Sequence, residues 1–193
     1  MDNGDFLVNY FSQYVDLTEE EVDSIRKADI IREYTKGDVL LRQGQIAKNC
    51  FLVLKGCVKR YYIDGGEEKI MEFYTENDSI APVSYATKEP SEYYISCVEP
   101  CLISTGNEEK TQQVLLQFPH FAPIFMKIGE SVQAKKQVSM DTYKNLEPEA
   151  RYQKLMETRP DLLNRVPQYM IASYLGIQPE SLSRIRKRMV SGK

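Results

Sequence analysis

The side chains best suited to chemistry lie near the end of the chain, between Gln178 and Arg188. Arg184 can form two hydrogen bonds with O6 and N7 of guanine, and Glu180 can accept a hydrogen bond from N4 of cytosine. The basic residues that follow can contact phosphates, which adds affinity without reading sequence. The candidate DNA contacts are Gln178, Glu180, Ser181, Ser183, Arg184, Arg186, Lys187 and Arg188.

A helix-turn-helix is predicted to present these side chains. Its first helix has an apolar side made of Met170, Ile171, Ala172 and Leu175. Gly176 tolerates the left-handed backbone angles of a turn, and Pro179 suits the first position of a second helix. Leu182, Ile185 and Met189 follow at spacings of three and four, so they form a buried stripe opposite a polar, basic face. Because the sequence continues for only five residues after Arg188, we expect no β-hairpin wing.

The charge of the chain is divided along its length. The net charge is −3, but residues 1–150 carry 16 Lys or Arg and 25 Asp or Glu, whereas residues 151–193 carry 9 and 3. An acidic body with a basic tail would turn the tail toward phosphate. A solvated basic helix end would explain the charge but not the helix-turn-helix pattern.

The body that must position this tail is predicted to be a roll of antiparallel strands from about residue 29 to residue 105, in an α+β fold. Short segments rich in β-branched and aromatic residues alternate with turn signals such as Lys36-Gly37-Asp38 and Asp64-Gly65-Gly66. Two short helices precede the roll between Leu7 and Lys27, and Thr18 with Glu21 forms a capping box for the second.

A long helix is predicted between Pro119 and Leu146, after a shorter one capped by Asn107. Its apolar seam consists of Phe121, Phe125, Ile128 and Val132. Spacings of four, three and four are typical of a coiled-coil dimer, and a helix packed on its own roll is the alternative. The predicted domains are therefore 1–118 for the roll and its helices, 119–146 for dimerisation and 147–193 for DNA binding, with a hinge near Pro148.

Several functional classes find little support in the sequence. One histidine and no Walker motif leave no catalytic or metal-binding set, so we expect neither an enzyme nor a resident cofactor. Without a run of ~20 apolar residues or a basic amino terminus, we expect a cytoplasmic protein with no membrane partner. Cys50, Cys57, Cys97 and Cys101 are expected to be reduced core residues, and a redox or iron–sulfur centre is the alternative.

The turn Lys36-Gly37-Asp38, the segment 52–58, the long helix and the helix-turn-helix together resemble the Crp/Fnr family of bacterial transcription regulators over nearly the whole chain. The resemblance implies a cyclic-nucleotide-binding-like roll, a homodimer, double-stranded DNA as partner, a small-molecule effector and RNA polymerase as a candidate partner. By position, Glu180 and Arg184 match the base-reading acid and arginine of the family, and Ser181 matches a hydroxyl that helps to hold the site. Pro179 stands where a basic residue is common, so the operator should differ.

The sensor half departs from the family's cyclic AMP site. Pro82 stands where a ribose-binding glutamate is expected, and Ser91-Glu92 stands where an arginine pair is expected, so we predict that cyclic AMP does not bind. An altered, more apolar effector pocket would be lined by Val83, Tyr85, Tyr93 and Tyr94, and packed roll aromatics are the alternative. His120 is expected to be a surface or capping residue. The alternative function is a signalling or protein-interaction module without specific DNA binding.

Overall fold

The computed structural model describes the backbone of residues 3–144 and 146–191 and their side chains except those of 135–144 and 190–191. Two helices open the chain, α1 (Asn3–Phe11) and α2 (Glu19–Lys27). The Thr18 hydroxyl accepts the Glu21 N–H at 3.4 Å, and the Glu21 carboxylate accepts the Thr18 N–H at 2.7 Å. The predicted capping box is therefore confirmed.

Eight strands follow: β1 (Ile31–Tyr34), β2 (Val39–Leu41), β3 (Cys50–Lys55), β4 (Val58–Asp64), β5 (Glu67–Tyr74), β6 (Ser79–Ile80), β7 (Tyr94–Cys97) and β8 (Cys101–Gly106). They pair antiparallel in two four-stranded sheets, with orders β1-β8-β3-β6 and β2-β7-β4-β5. The predicted antiparallel roll is thus confirmed. Strand β6 and the five-residue helix α3 (Val83–Thr87) were not predicted, because such short elements carry no periodic signal.

The sheets enclose one core between them. Val53, Val58, Ile95 and Ile103 are fully buried and come from four different strands. Neighbouring residues alternate between this core and the outer faces, as side chains on a pleated strand must. The outer face of β4 and β5 is itself apolar, with Tyr61, Ile70 and Phe73 buried outside the roll core.

The remaining helices are α4 (Glu108–Gln117), a 3₁₀ turn (Pro119–Phe121), α5 (Ala122–Lys144), α6 (Pro148–Thr158), α7 (Pro160–Arg165), α8 (Gln168–Leu175) and α9 (Pro179–Ser191). The Asn107 side chain caps α4 by accepting the Lys110 N–H at 2.9 Å. The sequence predicted three helices in the tail, but four are present, because Pro160 begins a separate short helix after Arg159 leaves the helical region at φ −138°. No described helix is both long enough and apolar enough to cross a membrane.

Helices α6 to α9 are docked on the roll. Leu155, Leu162 and Leu175 share one buried cluster with Phe73 of β5. Tyr174 of α8 lies edge-on to Phe73, with ring centres 5.3 Å apart. The apolar outer face of β4 and β5 thus gives the tail a surface to bury, and the hinge near Pro148 stays a prediction.

Candidate nucleic-acid interface and sensor pocket

The turn between α8 and α9 is fixed by backbone geometry and by another helix. Gly176 has φ +68°, which suits a residue without a Cβ atom, and the N–H of Ile177 donates to the Ala172 carbonyl at 3.0 Å. Arg151 of α6 donates from Nη1 to the Leu175 carbonyl at 2.7 Å. This guanidinium satisfies a carbonyl at the end of α8 that the helix itself leaves free.

Helix α9 separates its apolar and polar residues as the sequence predicts. Leu182 and Ile185 are buried, and the half-buried Met189 packs against the same core. Gln178 precedes the helix, and its carbonyl accepts the N–H groups of Ser181 and Leu182 at 3.0 and 3.1 Å. Seven of the predicted contacts are exposed, and only Ser181 is half-buried; the exposed ones are Gln178, Glu180, Ser183, Arg184, Arg186, Lys187 and Arg188.

Two polar contacts orient the basic side chains of α9. Arg184 Nη2 donates to Ser181 Oγ at 3.3 Å, so one turn of the helix steadies the predicted base-reading arginine. Arg188 Nη2 lies 3.0 Å from Glu149 Oε2 of α6.

The groove between α9 and the start of α6 has a volume of about 740 Å³ and is lined by Glu147, Pro148, Glu149, Ser181, Arg184, Ile185, Lys187 and Arg188. Sequence reasoning did not identify Glu149, which would compete with phosphate for Arg188.

Tyr93 occupies the space between α3 and the sheet. The ring is buried in the roll core, and its hydroxyl accepts the Val83 N–H at 2.8 Å at the start of α3. Pro82 is fully buried beside it, and the buried Ser84 hydroxyl accepts the Ala47 N–H at 3.2 Å. The Tyr93 hydroxyl therefore satisfies the first N–H group of α3.

The four residues of the predicted effector pocket do not line one space. Tyr85 packs against the roll core with Tyr93, and the Val83 side chain is 56% exposed. Tyr94 lies on the opposite face of β7 and stacks on Tyr61 with ring centres 5.2 Å apart. Adjacent residues of a strand point to opposite faces, which explains why Tyr93 and Tyr94 are separated.

Arg60 is a cation of the roll that sequence reasoning did not identify, although its strand was predicted. Arg60 of β4 lies over the Tyr93 ring, 5.3 Å from its centre, and its Nη2 is 3.9 Å from Glu72 Oε2. Its Nε is buried and has no hydrogen-bond partner among the described residues. Glu92, by contrast, is exposed. The pairing of β4 with β5, which sets Arg60 opposite Glu72, is the signal that could have identified this arginine.

The first two residues of the predicted seam pack against α1. Phe121 is buried and Phe125 is half-buried. Their ring centres lie 5.6 and 6.0 Å from the ring centre of Phe11. Ile128 and Val132 are half-buried. Two of the four seam residues are thus engaged within the chain, and the dimer seam stays a prediction.

Arg165 of α7 joins the helical tail to two carboxylates of the roll. Its Nη1 and Nη2 lie 2.8 and 2.9 Å from the Glu76 oxygens, and its Nε lies 3.0 Å from Glu99 Oε1. The hydrogen bonds to Glu76 raise the pKa of Arg165 above its usual value. Burial alone would raise the pKa of Glu76, but hydrogen bonds from Arg165 and from the Gly56 N–H hold that pKa below its usual value.

Ser173 of α8 makes a second polar connection between the tail and the roll. Its hydroxyl donates to the Glu68 carbonyl at 3.0 Å and accepts the Ile70 N–H at 3.0 Å. One side chain thereby satisfies two backbone groups of β5. Sequence reasoning missed both this serine and the Arg165 contacts, because their partners are distant in the chain.

No candidate metal site lies within the described part of the chain. It contains no group of three or more His, Cys, Asp or Glu placed to hold an ion. The four cysteines are free thiols; Cys57, Cys97 and Cys101 are buried as predicted, whereas Cys50 is half-buried. His120 Nε2 lies 2.5 Å from Glu21 Oε1, and the Thr18 N–H lowers the pKa of that buried glutamate.

Comparison with known proteins identifies the fold. Residues 31–118 match the family described as cyclic nucleotide-binding domain. FixK2 from Bradyrhizobium japonicum is similar in structure, with a TM-score of 0.67, 14% identity and coverage of 84% of each chain. CLP from Xanthomonas campestris, described as a c-di-GMP-responsive global regulator, has a TM-score of 0.62 and 16% identity over 84% of this chain and 86% of CLP.

A variant of CooA from Carboxydothermus hydrogenoformans has a TM-score of 0.61 and 16% identity, covering 83% of this chain and 76% of that one. No curated protein matches the chain by sequence. The similar structures are Crp/Fnr-type regulators, so the predicted resemblance is confirmed at the level of the fold.

Proposed function

We propose that this chain, which has the fold of the Crp/Fnr-type regulators, is a sequence-specific DNA-binding transcription regulator that acts as a cytoplasmic homodimer. The observation that carries the proposal is the exposed face of α9. Glu180 and Arg184 lie one turn apart on that face, where a major groove could receive them. The buried stripe of Leu182 and Ile185 holds the helix to the rest of the tail.

Arg184 is the proposed reader of guanine and Glu180 the proposed reader of cytosine. The hydrogen bond from Arg184 to Ser181 limits the freedom of the guanidinium before DNA arrives, which reduces the ordering that binding would require. Lys187 and Arg186 are proposed to contact phosphate. Arg188 would have to exchange its carboxylate partner, Glu149, for phosphate.

The dimer is proposed to form along α5. Ile128 and Val132 of the predicted seam are half-buried, so a second copy would cover apolar surface on that side of the helix. Two α9 helices related by a two-fold axis would then meet half-sites about one helical turn, ~34 Å, apart.

The roll is proposed not to bind cyclic AMP. Tyr93 fills the space beside α3, and its hydroxyl already occupies the Val83 N–H. A phosphate placed there would have to displace a buried aromatic ring, and it would compete with Glu72 for Arg60, the cation that lies over that ring. The effector, if one exists, therefore has to meet a different surface.

The test is fluorescence anisotropy with a duplex selected for tight binding, at several salt concentrations. Arg184→Ala should weaken binding to the selected duplex by ~1–3 kcal/mol and reduce discrimination at one base pair. Lys187→Ala is the matched control, since it should weaken all duplexes alike and flatten the salt dependence by about one unit. If Arg184→Ala discriminated between duplexes as well as the unmodified protein does, the proposal that Arg184 reads a base would be wrong. Equal affinity of the unmodified protein for every duplex would favour an interaction module instead.

A further inference from the structure

One guanidinium in the helical tail binds backbone groups at two distant points of the chain. Arg151, in the first turn of α6, donates from Nε to the Leu146 carbonyl at 2.8 Å and from Nη1 to the Leu175 carbonyl at 2.7 Å. Leu146 lies in the linker between α5 and α6, and Leu175 ends α8 immediately before the turn of the helix-turn-helix. A single half-buried side chain therefore joins the linker to that turn.

The two carbonyls suit a cation of this shape. The Leu175 carbonyl lies at the carboxyl end of α8, where a helix leaves its last carbonyls without partners and carries a partial negative charge. A guanidinium has five N–H donors in a rigid plane, so it can bind two acceptors in different directions, whereas a lysine ammonium donates from one nitrogen. The fit is close, because a Cβ atom on Gly176 would lie 3.4 Å from Arg151 Nη1.

Apolar packing holds α6 against the two helices of the helix-turn-helix. Tyr152 and Leu155 of α6 are buried in one cluster with Leu175 of α8 and Ile185 of α9. Burial of apolar surface is non-directional, whereas a hydrogen bond weakens steeply when the donor N–H turns away from its acceptor. The two hydrogen bonds of Arg151 therefore fix the angle at which the linker meets the helix-turn-helix.

We propose that Arg151 is a positioning residue, which holds the helix-turn-helix at one angle to the linker after α5 and so sets the spacing of the two half-sites in DNA. This role rests on the proposed function, in which two copies meet along α5 and each presents one α9. The path from that dimer to α9 passes through the linker, which Arg151 joins to the turn before α9. Arg151 acts through the position of α9 and makes no base contact of its own.

The spacing of the half-sites distinguishes this role from base reading. One base pair added between the half-sites moves one of them by ~3.4 Å and rotates it by about a tenth of a turn, so a rigid dimer cannot engage both. The unmodified protein should therefore bind the lengthened duplex about tenfold more weakly than its selected duplex. Arg151→Lys keeps the charge but cannot bind both carbonyls, so its affinities for the two duplexes should differ by about threefold or less. Its preference for the guanine read by Arg184 should remain.

The hydrogen bonds of Arg151 are measured without DNA, by NMR on the full-length protein. In the unmodified protein, the Arg151 Nε proton should exchange with water several-fold more slowly than that of Arg186, which is exposed on α9. The Ile177 N–H donates to the Ala172 carbonyl across the turn at 3.0 Å, and its exchange should quicken several-fold in Arg151→Lys. Lys154→Gln, which changes a half-buried cation one turn along α6, is the matched control and should alter neither exchange nor spacing preference.

Two results would overturn the positioning role. If the Arg151 Nε proton exchanged as fast as that of Arg186, the bond to the linker would be absent in solution, and this measurement on the unmodified protein stands even if no Arg151 variant folds. If Arg151→Lys bound both duplexes more weakly but kept the tenfold ratio between them, the role of Arg151 would be structural only.

Failure of the proposed function can be recognised separately. If the unmodified protein selected no paired half-sites, the DNA-binding proposal would be wrong and the spacing role would fall with it. Slow exchange of the Arg151 Nε proton in that case would show that the contact between the linker and the turn is intact and is not the cause of the failure.

Discussion

Replacing Arg165 with glutamine should weaken the attachment of the helical tail to the roll. Arg165 makes hydrogen bonds of 2.8 and 2.9 Å to Glu76 and of 3.0 Å to Glu99, and glutamine is too short and uncharged to replace them. Both carboxylates would remain at a partly buried surface without their cation. The expected result is a lower free energy of unfolding and a loosened tail.

The expected loss in the free energy of unfolding follows from the exposure of the three charged side chains. Breaking a fully buried ion pair costs ~3–5 kcal/mol, whereas an exposed pair contributes ~0–1 kcal/mol. The side chains of Arg165, Glu76 and Glu99 are 25%, 38% and 27% exposed, which places them between these limits. Solvent screening of the exposed fraction lowers the expected loss to about 2 kcal/mol.

The assay is urea unfolding followed by circular dichroism. With a denaturant dependence of about 2 kcal/mol per molar urea, the midpoint should fall by about 1 M in Arg165→Gln. Arg32→Gln is the matched control: its partner Asp29 is three residues away and 87% exposed, so the midpoint should hardly move. The difference between the variants should shrink with added salt.

A double-mutant cycle tests the reasoning itself. Glu76→Gln keeps an oxygen that can accept the Gly56 N–H, now 2.8 Å from Glu76 Oε1, but removes the charge that binds Arg165. The two substitutions together should cost about 1 kcal/mol less than the sum of the single losses, because they remove one shared contact. Strictly additive losses, or an Arg165→Gln midpoint equal to that of the control, would refute the assigned attachment.

Three further outcomes are expected. Gly56→Ala should destabilise the fold by about 3 kcal/mol in thermal unfolding, because φ is +104° and a Cβ atom would meet a sulfur at 2.6 Å; an unchanged midpoint would contradict this. The pKa of Glu76 is lowered from 4.5, so the ionised Glu76 should stabilise the fold fully above pH 4.5. This stabilisation should be lost as the pH falls through the pKa that Glu76 has in the folded protein. The free energy of unfolding of Glu76→Gln should therefore approach that of wild type in acid. Val132→Glu, which places a charge in the predicted seam of α5, should convert a dimer to a monomer in light scattering, whereas Leu116→Glu, which changes an 84% exposed leucine of α4, should not.

Elements with a periodic pattern or a specific cap could be predicted from the sequence. Thr18 and Asn107 place helix starts through hydrogen bonds made within three residues, and Gly176 marks its turn through backbone angles alone. The face of α9 follows from the spacing of Leu182 and Ile185. All of these depend on neighbours in the chain, which a sequence displays directly.

Contacts between distant segments could not be predicted in the same way. Nothing near Arg165 indicates that Glu76 and Glu99 are its partners, and Arg60 reaches Tyr93 only because β4 pairs with β7 as well as with β5. The contact between the helical tail and the roll was not predicted, because the apolar outer face of β4 and β5 becomes apparent only when the register of the sheet is known. The predicted effector pocket included both Tyr93 and Tyr94, because the face of the sheet on which each lies also becomes apparent only from the register.

The central claim is that two copies of α9 read a two-fold DNA sequence, and selection from a pool of random duplexes tests it most directly. The full-length protein should enrich one motif made of two inverted half-sites about one helical turn apart, ~34 Å between centres. Arg184→Ala should lose the preference at one guanine in each half-site, while Lys187→Ala should enrich the same motif more weakly. Enrichment of no motif, or of one that Arg184→Ala selects equally well, would contradict the account.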